Sequence, residues 1–223
     1  MSPPMPIGPP SPQRLRRICD ARPDAGEDAF VFKLDIATRS LVYATLFGSS
    51  AEDELVGLDG RYSALQVDSA GDLYLAGCTV STDFPVTPGP FESPGPQINI
   101  FVAKLNASES SLLFSSIFLG TSATYIGPMA VDDAGDVYIG GADGCGPLPA
   151  SPGAFEPTIA EGLGFVAKFD AQTGARVFLT YLGDGNGTPF GRIAPPSDGS
   201  VWNDQSTNGP LAGHPLAVTP GRF

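Results

Sequence analysis

Histidine and tryptophan occur once each in 223 residues, and cysteine and methionine three times each. The lone His214 lies in the turn-like segment GPLAGHPLAV. Triad chemistry needs a base beside a nucleophile and an acid to orient it. His214 has no counterpart elsewhere, so it reads as a solvated loop residue. Cys19, Cys78 and Cys145 show no CxxC or Cys/His spacing, and their odd number implies no complete disulfide framework. Basic residues are also few, 12 Lys and Arg against 24 Asp and Glu, for a net charge of −12. That balance excludes a nucleic-acid partner, which requires cations to displace counterions from phosphate. It also disfavours attachment to anionic membranes. No apolar run reaches the roughly 18 residues of a membrane-spanning helix, which argues against membrane insertion.

Turn residues, by contrast, are abundant. Gly (28) and Pro (23) are frequent, while charged residues make up only 16%. With 42% apolar residues, the composition fits a globular chain with many turns. The N-terminal MSPPMPIGPPSPQRLRRICDARPDAGED is rich in Pro and Arg and lacks an apolar h-region, so it does not read as a secretory signal. Residues 1–27 are predicted to be a disordered arm, or upstream sequence read into the frame. Residues 28–223 form the folding region.

Four motifs recur there in the same order. The first is DAFVFKLD, NIFVAKLN and LGFVAKFD, beginning at Asp28, Asn99 and Leu163. The second is LVYATLFG, LLFSSIFLG and RVFLTYLG, beginning at Leu41, Leu112 and Arg176. The third is ALQVDSAGDLYLAG, MAVDDAGDVYIGG and a weaker IAPPSDGSVW, beginning at Ala64, Met129 and Ile193. The fourth is FPVTPGPF, LPASPGAF and LAVTPGRF, beginning at Phe84, Leu148 and Leu216. Gly71, Gly135 and Gly199 are spaced 64 and 64 residues apart; Phe30, Phe101 and Phe165 are spaced 71 and 64 apart.

Within each unit Val, Ile, Phe and Tyr dominate runs of period two, which predicts strands. The AGD segments read as hairpins whose glycine takes positive φ. Residues 49–62 and 121–127 read as loops, and the best helix candidate, Ala51–Leu58, is short and acidic. Runs such as LVYATLF are apolar on both faces and must be covered on both faces. Stacking successive small sheets does this, which is the packing of a β-propeller.

The pattern DAFVxKLD, LVYxTxLG, VDxAGDxYxxG, DFPVTPGxF resembles the bacterial β-propeller repeat (SBBP-type repeat) over roughly residues 28–223. The resemblance implies an all-β fold of four-stranded antiparallel blades in bacterial secreted or cell-surface proteins. It implies no catalytic residues. The phase reads outer strand pair, full blade, full blade, inner pair, about three blades' worth against the usual four to eight. An incomplete or open arc is therefore expected, as a fragment of a longer protein or as subunits completing a ring together. Its unpaired terminal strands predict self-association.

No catalytic, cofactor-binding or metal-ligating residue is assigned. Asp68, Asp72, Asp132 and Asp136 recur at the hairpins; turn-forming Asp explains them more simply than Ca²⁺, whose remaining oxygen ligands are missing. Lys33, Lys104 and Lys168 recur inside apolar strands; each either pairs with a nearby Asp or carbonyl, or faces solvent. Cys78 and Cys145 fall at similar points of two units and are expected as small buried thiols rather than a bridge. The long segments 79–98 and 142–162 end in Phe91 and Phe155, expected as plugs between sheets; Glu92–Ile98 and Thr158–Gly162 are the candidate partner contacts. The Gly-rich Leu182–Gly191 is not a phosphate loop, because neither GK[ST] nor a helix follows it. The expected function is a non-catalytic scaffold or interaction module with an unidentified protein or glycan partner. The alternatives are a carbohydrate-binding or glycan-processing propeller, which needs aromatic platforms and inward-pointing paired carboxylates and for which Trp202, the only tryptophan, reads equally well as core, and a propeller fragment with no independent role.

Overall fold

The computed structural model describes residues 29–49, 51, 53–54, 65–88, 98–107, 111–119, 124–143, 148–158, 164–182, 190–196 and 200–205. The predicted arm, Cys19, Phe91, Cys145 and His214 lie outside the described residues. Among the described residues every regular element is a strand, and every pairing is antiparallel.

The strands fall into four sheets in chain order. β1 (Ala29–Asp35) and β2 (Ser40–Phe47) form a hairpin. The second sheet has β3 (Asp53–Glu54), β4 (Leu65–Val67), β5 (Leu73–Thr79), β6 (Asn99–Leu105) and β7 (Leu112–Leu119), ordered β3-β5-β6-β7 with β4 also on β5. The third has β8 (Thr124–Val131), β9 (Val137–Asp143), β10 (Gly164–Phe169) and β11 (Arg176–Leu182), each paired with the next. β12 (Phe190–Ala194) and β13 (Trp202–Gln205) form the last pair.

The second and third sheets are two versions of one unit. β8 runs along β9 from Thr124↔Asp143 to Val131↔Val137, with a bulge between Ile126 and Met129. β3 and β4 cover the same length of β5 in two pieces, Glu54↔Cys78 and Leu65↔Leu75. The three FVxKL hairpins are also alike, each shifting register directly after its lysine, at Lys33, Lys104 and Lys168. β12 ends at Ala194, immediately before Pro195-Pro196, which have no N–H to continue a ladder.

The sheets stack face to face in sequence. Along β6, Phe101, Ala103 and Leu105 pack with Val31 and Phe47 of the first sheet, whereas Ile100 and Val102 pack with Phe165 and Ile139 of the third. Tyr138 and Val166 of the third sheet pack in turn with Ile193 of β12. The period of two thus sends alternate residues of one strand into two cores. Each large apolar side chain so buried is worth roughly 1.5–3 kcal/mol.

Three expectations are corrected. Asp53–Glu54, inside the helix candidate and inside the predicted 49–62 loop, is strand, held by pairing to Cys78 and Thr79. Residues 124–127 belong to β8 rather than to a loop, because Thr124, Tyr125 and Ile126 pair with β9. Phe155 is 62% exposed and plugs nothing. The plug is the first residue of that motif: Phe84, with ring centroids 5.3 Å from Phe47 and 4.6 Å from Phe101, and Leu148 in the next copy. The Pro-Gly turn, with Gly153 at φ 78°, lies between Leu148 and Phe155 and separates the buried end from the exposed one.

Candidate functional site

The recurrent polar residues converge at one end of the AGD hairpin. In the second sheet Asp68 Oδ1 accepts the N–H groups of Ala70 and Asp72, both at 2.9 Å. The turn closes with the Gly71 N–H on the Asp68 carbonyl at 3.0 Å, and Gly71 sits at φ 86°, where a side chain would be strained. The other oxygen, Asp68 Oδ2, accepts the Tyr74 hydroxyl at 3.1 Å and lies 3.3 Å from Lys104 Nζ. Asp72 Oδ2 is 3.1 Å from the same ammonium, while Asp72 Oδ1 accepts the Ala107 N–H at 2.8 Å. Lys104 Nζ also sits 4.6 Å from the Tyr74 ring centroid, within cation–π range. The cluster therefore ties the β4–β5 turn to the end of β6.

The third sheet repeats this almost atom for atom. Asp132 Oδ1 accepts the Ala134 and Asp136 N–H groups at 3.0 and 2.9 Å, and Gly135 again has φ 86°. Asp132 Oδ2 accepts the Tyr138 hydroxyl at 3.3 Å. Asp136 pairs with Lys168 at 2.6 Å and accepts the Ala171 N–H at 2.8 Å. Lys168 Nζ is 5.1 Å from the Tyr138 ring. Of the three recurrent lysines, Lys104 and Lys168 are thus paired with aspartates. Lys33 is exposed, and among the described residues no AGD hairpin flanks its strand.

This electrostatic arrangement opposes acid–base or nucleophilic work by the lysines. Burial pulls the Lys104 ammonium towards deprotonation, but Tyr74, Asp72 and Asp68 outweigh it and hold the proton more tightly than in water. Asp136 and Tyr138 do the same for Lys168. Burial likewise tends to raise Asp68, yet the Asp72 N–H, Tyr74 and Lys104 bring it below the ordinary carboxylate range. A lysine that serves as nucleophile or Schiff base must instead lose its proton readily. The aspartates are turn-formers whose oxygens are occupied by backbone N–H groups, tyrosine hydroxyls and lysine. Among the described residues no group of three or more His, Cys, Asp or Glu is placed to hold a metal.

Two further polar features were not anticipated from sequence. The TPG and SPG segments clip the outer edges of the second and third sheets. Thr87 N–H donates to the Ser115 carbonyl at 2.9 Å, while the Ser115 N–H donates to Thr87 Oγ1 at 3.0 Å. Sixty-four residues later, the Ser151 N–H donates to the Leu179 carbonyl at 3.0 Å, and the Leu179 N–H donates to Ser151 Oγ at 2.9 Å. The recurrence of Thr and Ser at this place was visible; its partner strand was not. The second feature is Asp53, buried in the second sheet. Its Oδ2 accepts the Ser49 N–H and, at 3.0 Å, the Ser81 hydroxyl, while among the described residues Oδ1 has no hydrogen-bond partner.

Trp202 is 72% exposed, so it is neither core nor part of an enclosed pocket wall. Cys78 packs, partly buried, against the core between the second and third sheets. Thr158, at the edge of one candidate partner-contact segment, is exposed. No protein-family model matches the chain, and neither does any curated protein.

Proposed function

We propose that the chain is a β-propeller repeat module whose four-stranded sheets are blades, acting non-catalytically as a scaffold or interaction surface. The observation that carries this reading is the duplicated cluster at Asp68–Asp72–Tyr74–Lys104 and Asp132–Asp136–Tyr138–Lys168. The polar residues that recur are engaged in holding one strand pair to the next. What varies between copies lies in the loops, where a partner would be read. The sequence resemblance adds a secreted or cell-surface setting, and the net charge of −12 favours protein or glycan partners over nucleic acid.

The test is to determine the arrangement of the sheets experimentally and to assay the same preparation against glycosidic, ester and peptide substrates. Equivalent sheets radiating from a common axis with no turnover support the proposal. Turnover abolished by one side-chain replacement, or sheets merged into a single sandwich, would end it. The exposure of Trp202 favours a second reading, a carbohydrate-binding propeller, since a free indole face can stack on a sugar ring. Glycan binding lost in Trp202→Ala would select that reading over a protein-binding scaffold.

A further inference from the structure

The two end sheets are complementary halves. β1 and β2 correspond to β6 and β7, or to β10 and β11; β12 and β13 correspond to β8 and β9. Among the described residues β1 pairs only with β2, and β13 only with β12. In both complete sheets the missing contact is present: β5 pairs with β6, and β9 pairs with β10. We propose that β13 of one copy of this chain pairs antiparallel with β1 of a second copy, completing a sheet of the kind seen twice within the chain.

The internal pairings fix the register. Tyr74 lies opposite Lys104, and Tyr138 lies opposite Lys168. Trp202 stands 64 residues after Tyr138, and Lys33 holds the place of Lys104 and Lys168. The pairing therefore sets Trp202 opposite Lys33 of the second copy, an aromatic ring against an ammonium as in both internal sheets. Pro196 and Ser200 replace the two aspartates here, so the ring takes over as the main partner of this lysine.

Exposure agrees with this placement. Trp202 is 72% exposed where Tyr138 is 4% exposed, and Leu34 is 51% exposed where Leu105 is 1% exposed. Phe32, 53% exposed, lies on the same open face as Leu34 and stacks at 5.6 Å on Phe30. In the completed sheet this face turns towards the third sheet of the first copy, where Phe178 is only half-buried although its counterpart Phe114 is fully buried.

The contact is head-to-tail, and such contacts either close a ring or propagate. Among the described residues each copy brings two full sheets and two half sheets. Two copies joined at both ends hold six sheets, within the usual four to eight of a closed propeller, whereas one copy closing on itself would hold three. The inference rests on the repeat reading of the sheets but not on the proposed interaction role.

Light scattering on the full chain should give twice the 23.0 kDa chain mass at micromolar concentration. Trp202→Ala should weaken the dimer by about tenfold or more. With Cys19, Cys78 and Cys145 changed to serine, oxidising a mixture of Lys33→Cys and Trp202→Cys chains should cross-link one to the other, since opposed antiparallel residues lie within disulfide reach. Neither variant should cross-link alone. A monomer in which β6 and β10 keep slow amide exchange overturns this inference and leaves the repeat reading standing, as does cross-linking of Lys33→Cys chains to each other. A monomer without that protection overturns both.

Discussion

Lys33 and Lys104 occupy the same place in the same motif, before the same register shift, yet one is in solvent and the other is held by two aspartates and a tyrosine. What differs is the neighbouring strand. Among the described residues β6 has the AGD hairpin beside it and a sheet against each face, while β1 has β2 beside it and one covered face. The motif supplies the lysine, and the adjoining hairpin supplies its environment. A strand pair of this kind is therefore fully satisfied where an AGD hairpin and a sheet on each face surround it.

The contrast can be broken most sharply in the core. Phe101→Ala removes a ring buried between the first and second sheets and should cost about 3–5 kcal/mol in urea unfolding. Phe32→Ala, on the open face two residues after Phe101's counterpart, should cost less than about 1 kcal/mol where the chain is monomeric. Equal costs would mean that the open face is covered within one chain. Next is the lysine pair. Lys104→Met strands Asp68 and Asp72 beside each other and should cost roughly 2 kcal/mol, whereas Lys33→Met should stay within about 0.5 kcal/mol. Retention of full stability in Lys104→Met would reject an energetic role for the cluster.

A smaller difference separates two glycines. Gly135 and Gly153 both have positive φ, but a Cβ on Gly135 would meet the Tyr74 hydroxyl at 2.9 Å, while one on Gly153 meets open space. Gly135→Ala should therefore lose about 1 kcal/mol more than Gly153→Ala, because it disturbs the hydroxyl that donates to Asp68 in the preceding sheet. The smallest effect is in acid. The folded Asp68 carboxyl titrates below its unfolded value, so its contribution is complete above about pH 5 and fades as pH falls through about 4 to the folded value. Asp68→Asn should be less stable at neutral pH and flatter on acidification, by on the order of 1 kcal/mol, in a series of melts from pH 7 to 3.

Much of the strand plan was legible because it depends on near neighbours. Alternation marked β1, β6 and β10, and the AGD glycines marked the turns. Phe155 was misread because recurrence alone does not say which end of LPASPGAF turns inward; Leu148 does so by packing in the core between the second and third sheets. β3 escaped notice for the same reason: two acidic residues carry no strand signal, and only pairing to β5 holds them. The cluster was half legible. Asp and Lys recurred in the sequence, but Tyr74, Tyr138 and the Ala107 and Ala171 N–H groups became partners only when two strands met.

By itself, then, the amino-acid order determined the repeat, the β character and the places where the backbone must turn, since these follow from side-chain alternation and from what Gly and Pro permit locally. Tertiary structure alone decided which lysines are neutralised, that Leu148 rather than Phe155 is buried, and which strand edges are closed by Thr87 and Ser151. Those outcomes depend on groups some 17 to 37 residues apart along the chain, brought together only when strands pair and sheets stack.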